Sequence, residues 1–277
     1  MKVLYIAEIV GKAGVFALKK SLNSLKQELK ADFVIACGDG ATGGKGLGRQ
    51  HASYIRKLGC DVVTTGDFCF YKKDLVDDLD NISYVLRPSN LSAGTPGRGV
   101  NIFKVKSIIA PPPIQTTNLS SVPAQTKIAV VVLLGQSGFT RFHAENPLPG
   151  LAQMLNKLRE QTPYVIVDYH AAATAEKQTM FYAADGLCSA VIGSHCRVLT
   201  ADERILERGT AVISDAGRTG SQYSVGGCEI KSALDEFISG IPQWKKEAWE
   251  CIEIQGVLIE LDSGGNALSI QRVRKAV

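Results

Sequence analysis

Lys2 to Ala7 forms a short apolar run, and beyond the loop EIVGKAG the residues Val15, Leu18, Leu22, Leu25 and Leu29 recur at spacings of three and four. The first pattern predicts a buried strand and the second one stripe of an amphipathic helix. DFVIAC reads as a further buried strand, followed by a glycine-rich loop GDGATGGKGLG, a helical HASYIRKLG and the strand DVVTT. Strand and helix alternate, so parallel pairing with right-handed crossovers is expected. KIAVVVLLG, PYVIVDY, SAVIGS and TAVISD read as buried strands, with helices near Leu151 to Gln161 and Thr174 to Ala184. IQGVLIELD and LSIQRVRK flank SGGNA as a β-hairpin. The fold class is α/β, expected as a single domain over residues 1–277, since such folds commonly exceed about 200 residues as one unit. Pro111 to Thr126, with four prolines and many hydroxyl residues, is expected to be a long surface loop within that domain.

Composition removes several classes. Apolar residues at 45% and charged residues at 21% suit a folded globular chain rather than a disordered one. The net charge of +4 is spread along the chain without a basic run, so nucleic-acid binding is not indicated. The apolar start is broken by Glu8 and is too short for a secretory signal or a membrane span, which predicts a cytoplasmic protein without membrane contact. Seven cysteines with no CxxC pair suit reduced thiols, mostly buried as small hydrophobes.

Ligands of open α/β sheets bind beyond the carboxyl ends of the strands. Glu8, Asp39, Asp67, His170 and His195 each follow a predicted strand, in YIAEIVG, IACGDG, TTGDF, IVDYHA and VIGSHCR. Singly, a histidine there is a common structural hydrogen-bonder and a Gly-Asp pair a common turn. Together, carboxylates and imidazoles at five strand ends make a metal constellation. The glycine-rich loop lacks both the Walker pattern and GxGxxG, so it reads as a flexible rim. Ser194 beside His195, without a GxSxG elbow, is a poor basis for serine nucleophile chemistry.

These motifs, with GKGL at Gly44 to Leu47, LRPSNLSAGTPGRG at Leu86 to Gly99, VDYHAAATAEK at Val167 to Lys177 and TADERILERGTAVISDAGRTG at Thr200 to Gly220, resemble the calcineurin-like metallophosphoesterases, specifically their bacterial YmdB-like branch. The resemblance runs over nearly the whole chain and is weakest from Asn101 to Pro163. It implies two packed mixed β-sheets flanked by helices, a homo-oligomer, and two metal ions about 3.5–4 Å apart that serve phosphodiester hydrolysis, 2',3'-cyclic nucleotides included.

The chain departs from that pattern at specific positions. Where the family carries Gly-Asn-His after the third strand, it has Gly66-Asp67-Phe68, and Phe68 cannot move a proton. The usual first-strand aspartate is Glu8, the usual Glu-Asn is Asp39-Gly40, the usual His-x-His is His195-Cys196-Arg197, and the glutamate two residues after His170 is Ala172. The resemblance thus leaves Glu8 and Asp39 for a first metal, with Arg197 intruding, and Asp39, Asp67, His170 and His195 for a second. The expectation is one divalent ion (manganese, iron or zinc) or none, with the other ion absent. Cys196 reads as a buried thiol rather than a ligand. Arg197 has two readings: it grips a phosphate, with Arg218 adding to it, or it pairs with Glu8 or Asp39. Functionally, the expectation is a pseudoenzyme that binds a phosphate-containing small molecule or a protein partner. The alternatives are a slow phosphodiesterase using one metal plus Arg197, and an assembly protein with a relict cleft.

Overall fold

In this computed structural model, which describes residues 1–105, 126–140 and 143–277, two mixed sheets lie face to face with helices on their outer sides. The N-terminal alternation supplies β1 (Lys2–Ile6), β2 (Glu8–Ile9), α1 (Gly11–Leu29), β3 (Phe33–Cys37), α2 (Arg49–Lys57), β4 (Val62–Thr64), α3 (Lys73–Val76) and β5 (Val85–Leu86). Strands β1, β3, β4 and β5 pair in parallel as expected of strands joined by helices. In α1 the three-and-four spacing puts Val15, Leu18, Leu22 and Leu25 on the sheet, and Lys30 closes the helix in a left-handed conformation.

The second sheet takes β6 (Val100–Lys104), β7 (Lys127–Leu134), α4 (Leu151–Arg159), β8 (Val165–His170), α5 (Thr174–Ala184), β9 (Ala190–Ser194), β10 (Arg204–Ile205) and β11 (Ala211–Ile213), in the order β10-β11-β9-β8-β7-β6. The chain then returns to the first sheet with β12 (Arg218–Ser221), α6 (Ile230–Ser239), β13 (Ile252–Leu261) and β14 (Ala267–Ala276). There β13 lies antiparallel to both β1 and β14, so β13 completes the interior of the sheet and β14 joins it through β13 alone.

Between the sheets, Tyr5, Ile35, Val62 and Val257 pack against Val130, Ile166, Ile192 and Ile213, all fully buried. Along β8 the two-residue period sends Val165, Val167 and Tyr169 toward α4 and α5, while Ile166 faces the other sheet. The same parity turns Asp168 and His170 into the inter-sheet space, and that alternation positions the site.

The long parallel strands and α1, α2, α4 and α5 agree with the apolar pattern. Strands β2, β5 and β10 are two residues each, too short to show a period, and β12 lacks an apolar face, whereas α6 carries Ile230, Ala233, Leu234, Phe237 and Ile238 at helical spacing, a signal that sequence reasoning missed. The proline-rich segment Pro111 to Thr126 lies outside the described residues except for Thr126. Cys37, Cys60, Cys69 and Cys188 are free and buried, but Cys196 is exposed, because it belongs to a turn beyond β9 and not to the strand itself. No helix among the described residues is long and apolar enough to cross a membrane.

Candidate metal site

His170 ends β8, His195 follows β9 and Asp67 follows β4, so the two sheets deliver one group or more each to the same end of the sandwich. Asp67 Oδ1 stands 2.9 Å from His170 Nε2 and 3.3 Å from His195 Nδ1, and the two imidazole nitrogens are 3.1 Å apart. One carboxylate oxygen and two imidazole nitrogens within 4.8 Å of one another form a donor set for a borderline divalent cation. Asp39 borders this set, with Oδ2 3.7 Å from His170 Nε2. Its oxygens accept the backbone N–H groups of Gly66 at 2.6 Å and Phe68 at 3.1 Å, which shapes the turn that carries Asp67. Glu8 is not among the donors of this set and pairs with Arg197.

Sequence reasoning missed what lies behind His170. Asp168, fully enclosed between the sheets, accepts hydroxyl donors from Tyr5 at 2.7 Å, Thr64 at 2.5 Å and Ser194 at 2.7 Å. Because the single Ser194 proton goes to Asp168, Ser194 Oγ accepts from His170 Nδ1, 3.0 Å away. That puts one proton on Nδ1, while in the metal-free protein Nε2 carries a second and donates to Asp67 Oδ1, so Nε2 is the nitrogen that would face an ion. Ser194 is therefore a buried relay and not an exposed nucleophile. The available signal was an aspartate two residues before His170, on the same strand face and in need of partners.

Packing holds both rings. A Cβ on Gly66 would lie 2.3 Å from His170 Cδ2, so only glycine lets the imidazole lie against that turn. Phe139 covers the other side, with its ring centroid 6.0 Å from that of His170 and 4.9 Å from that of His195. Nothing in the local sequence marked Phe139.

The electrostatics follow from this crowding. Burial alone would lower the His170 pKa, but the Asp67 hydrogen bond and the charges of Asp39, Asp67 and Glu8 outweigh it and raise the value to about 9. Burial opposes ionisation of Asp67, yet hydrogen bonds to both histidines hold its carboxyl well below the usual range. Asp39 shifts the other way, pushed up to about 7 by desolvation against the pull of His170, with Glu8 and Asp67 adding to the rise.

Beside the cluster, Arg197 Nη2 and Nε donate to Glu8 Oε1 at 2.6 and 3.0 Å. Its other bonds go to the carbonyls of Gly44 at 2.8 Å and Gly226 at 2.9 Å. Glycine at position 40 leaves the space for this pair, since a Cβ there would meet Glu8 Oε1 at 2.8 Å and Arg197 Nη2 at 3.0 Å. His195 (φ 98°) and Arg197 (φ 60°) both occupy the left-handed region, which costs non-glycine residues roughly 1–3 kcal/mol each. The turn is pinned between them, where the Cys196 N–H donates to Asp215 Oδ2 at 2.8 Å and Asp215 pairs with the buried Lys177 at 3.0 Å. The Cys196 thiol lies 3.4 Å from Lys177 Nζ and stands apart from the donor set. Phe68 packs edge-on against Tyr71 at 5.6 Å between centroids. Arg218 donates to the Arg197 carbonyl at 3.2 Å, so it supports the turn from behind instead of joining the Arg197 guanidinium.

A family model described as YmdB-like protein matches residues 4–273. The chain is 30% identical to a 2',3'-cyclic-nucleotide 2'-phosphodiesterase of Bacillus subtilis, over 99% of this chain and 96% of that one. A phosphatase of Mycoplasma pneumoniae superposes with a TM-score of 0.87 at 26% identity, covering 100% of this chain and 93% of the other. A hypothetical protein of Thermus thermophilus gives a TM-score of 0.86 at 29% identity, covering 100% and 99%.

Proposed function

The chain belongs to the YmdB-like family, and on that footing we propose that it holds one divalent ion rather than two and binds a phosphate-containing ligand with little or no hydrolytic turnover. The observation that carries this reading is the Glu8–Arg197 pair: the acid that would serve a first metal is neutralised by a guanidinium, which cannot be a ligand. The donor set of Asp67, His170 and His195, with Asp39 at its border, fits one ion of manganese, iron or zinc. Bound there, it would supply Lewis-acid polarisation of a phosphoryl oxygen.

The residues of this chain account for the rest. Ser194 and Asp168 hold the His170 ring with Nε2 forward, and Phe139 excludes water from the flank of both imidazoles. Phe68, beside the cluster, has no group that exchanges a proton, and general acid or base help is worth roughly 10²–10⁴ in rate. Arg197 has its N–H groups committed to Glu8, Gly44 and Gly226, which works against its turning to a phosphoryl group. The convergence of Asp67, His170 and His195 also favours a second reading, a slow phosphodiesterase using a single metal.

Metal content by plasma mass spectrometry, paired with a 2',3'-cyclic nucleotide hydrolysis assay, separates the two. About one ion per chain, lost in His170→Ala, with no turnover supports the first reading. Turnover that disappears in both His170→Ala and Asp39→Ala overturns it in favour of the second.

The same proposal includes self-association through α6 and the segment after it. Phe237, Ile238, Ile241 and Trp244 are exposed there, Phe237 at 93% and Trp244 at 99%. Lys231 pairs with Asp235 and Lys245 with Glu236, so this apolar ridge presents no unbalanced charge and suits a second copy of itself.

A further inference from the structure

A cavity of about 500 Å³ opens between β12, β14 and the turn after β9. Arg197 lines it, whereas Glu8, Asp39, Asp67, His170 and His195 do not, so it adjoins the metal cluster without belonging to it. Three further arginines, Arg218, Arg272 and Arg274, share its wall. Four guanidiniums around one cavity need counter-charge, and three of them have it. Arg197 pairs with Glu8, Arg272 with Glu203 at 2.7 Å, and Arg274 with Glu253 at 2.9 Å.

Arg218 differs from these. It is only 6% exposed, and among the described residues it has no carboxylate partner. Its N–H groups go to neutral acceptors: the Ser221 carbonyl at 3.0 Å, the Arg197 carbonyl at 3.2 Å, and the carbonyl and side-chain oxygen of Gln222. Burial and the like charge of Arg197 disfavour its charged form, while the charges of Glu8 and Glu253 favour it without touching it, and the guanidinium does not give up its proton in proteins. A buried cation with no carboxylate in direct contact is costly unless something supplies an anion at its N–H groups. Meanwhile Arg272 holds Glu203 through Nε, which leaves its terminal N–H groups to the cavity, and forked N–H donors match the oxygens of a phosphate. Val198 and Val225 add an apolar wall that suits the organic part of a ligand.

We propose that this cavity is a second anion site, separate from the metal cluster, which takes the phosphate group of a phosphorylated small molecule against Arg218 and Arg272. The proposal does not rest on hydrolysis or on metal occupancy.

The test is calorimetric titration of inorganic phosphate into the metal-free full chain at low salt, using wild type, His170→Ala, Arg218→Met and Arg272→Gln. The expected result is one phosphate per chain in wild type and in His170→Ala, binding at least tenfold weaker in Arg218→Met and in Arg272→Gln, and weakening further as salt is added. Arg272 is a surface residue, so its variant carries the test even if the buried Arg218→Met fails to fold. Three results would overturn the proposal: no phosphate binding by wild type, binding that Arg272→Gln leaves unchanged, or binding abolished by His170→Ala, which would assign the phosphate to the metal cluster.

Discussion

Arg197 and Glu8, separated by 189 residues in the chain, meet at 2.6 Å beside the Asp67, His170 and His195 cluster, with Glu8 almost completely buried. The two side chains carry opposite charges, and Gly40 leaves room for them. Removing one partner should leave a buried, uncompensated charge, which costs about 3–5 kcal/mol. Arg197→Met should show that loss in urea unfolding, and adding Glu8→Gln to it should recover most of the stability. A single variant as stable as wild type would mean that the pair is dispensable.

Gly40→Asn puts a Cβ into that pair and should destabilise the chain by roughly 1–3 kcal/mol, as overpacking does. In an Arg197→Ala background only part of the cost should vanish, since Glu8 Oε1 at 2.8 Å and the Ile9 carbonyl at 3.0 Å still obstruct the Cβ. Melting temperatures of the two single variants and the double variant measure the coupling, and simple additivity would contradict the packing account.

Ser194→Ala removes the acceptor of His170 Nδ1 but no ligand atom. Groups that orient a metal-binding histidine from behind are typically worth about 10–100-fold in metal affinity. Zinc titration of the folded variant should show a loss of that size with the stoichiometry unchanged. Undiminished affinity would assign Ser194 to packing alone.

The pH dependence of the metal-free chain has a definite sign. Folding raises the His170 pKa from 6.5 to about 9, so the stabilisation is complete below 6.5 and is lost as pH rises through 9. Asp39, raised to about 7 from 3.8, acts in the same direction, its contribution being lost as pH rises through 7. Asp67 is depressed and acts oppositely, its contribution being present above 3.8 and lost on further acidification. With a chelator present, the melting temperature of wild type should therefore fall between pH 6.5 and 9.5 more steeply than that of His170→Gln. Parallel curves would remove His170 as the cause.

If two copies meet through α6, Phe237→Asp should convert the oligomer to monomer without changing the circular dichroism spectrum, because this side chain is almost fully exposed within one chain. Sedimentation velocity reads the outcome directly. An unchanged sedimentation coefficient would exclude this surface from the interface.

The apolar runs of β1, β3, β7, β8 and β9 and the spacing in α1 were legible because burial on both faces of a strand, or along one stripe of a helix, leaves a period in the chain itself. Strand ends were legible too, and of the five residues read there, Asp67, His170 and His195 converge while Asp39 stands at their edge. Short β2 and β12 left no period, since they exist by pairing, β12 with β13 and also with β2, Arg218 opposite Glu8, rather than by their own pattern. The same is true of Asp168, Ser194 and Phe139, whose roles arise only when separate elements are brought side by side.

The layered α/β architecture, the YmdB-like resemblance and the residue types at the strand ends are properties of local pattern and can be read along the chain. That Arg197 neutralises Glu8, that Asp168 and Ser194 place a proton on His170 Nδ1, and that Arg218 lines a cavity with no carboxylate in direct contact follow from the folded arrangement alone. Charge pairing and hydrogen-bond direction depend on distances of a few ångströms between residues far apart in the chain, and those distances come into being only when both sheets have closed on their common core.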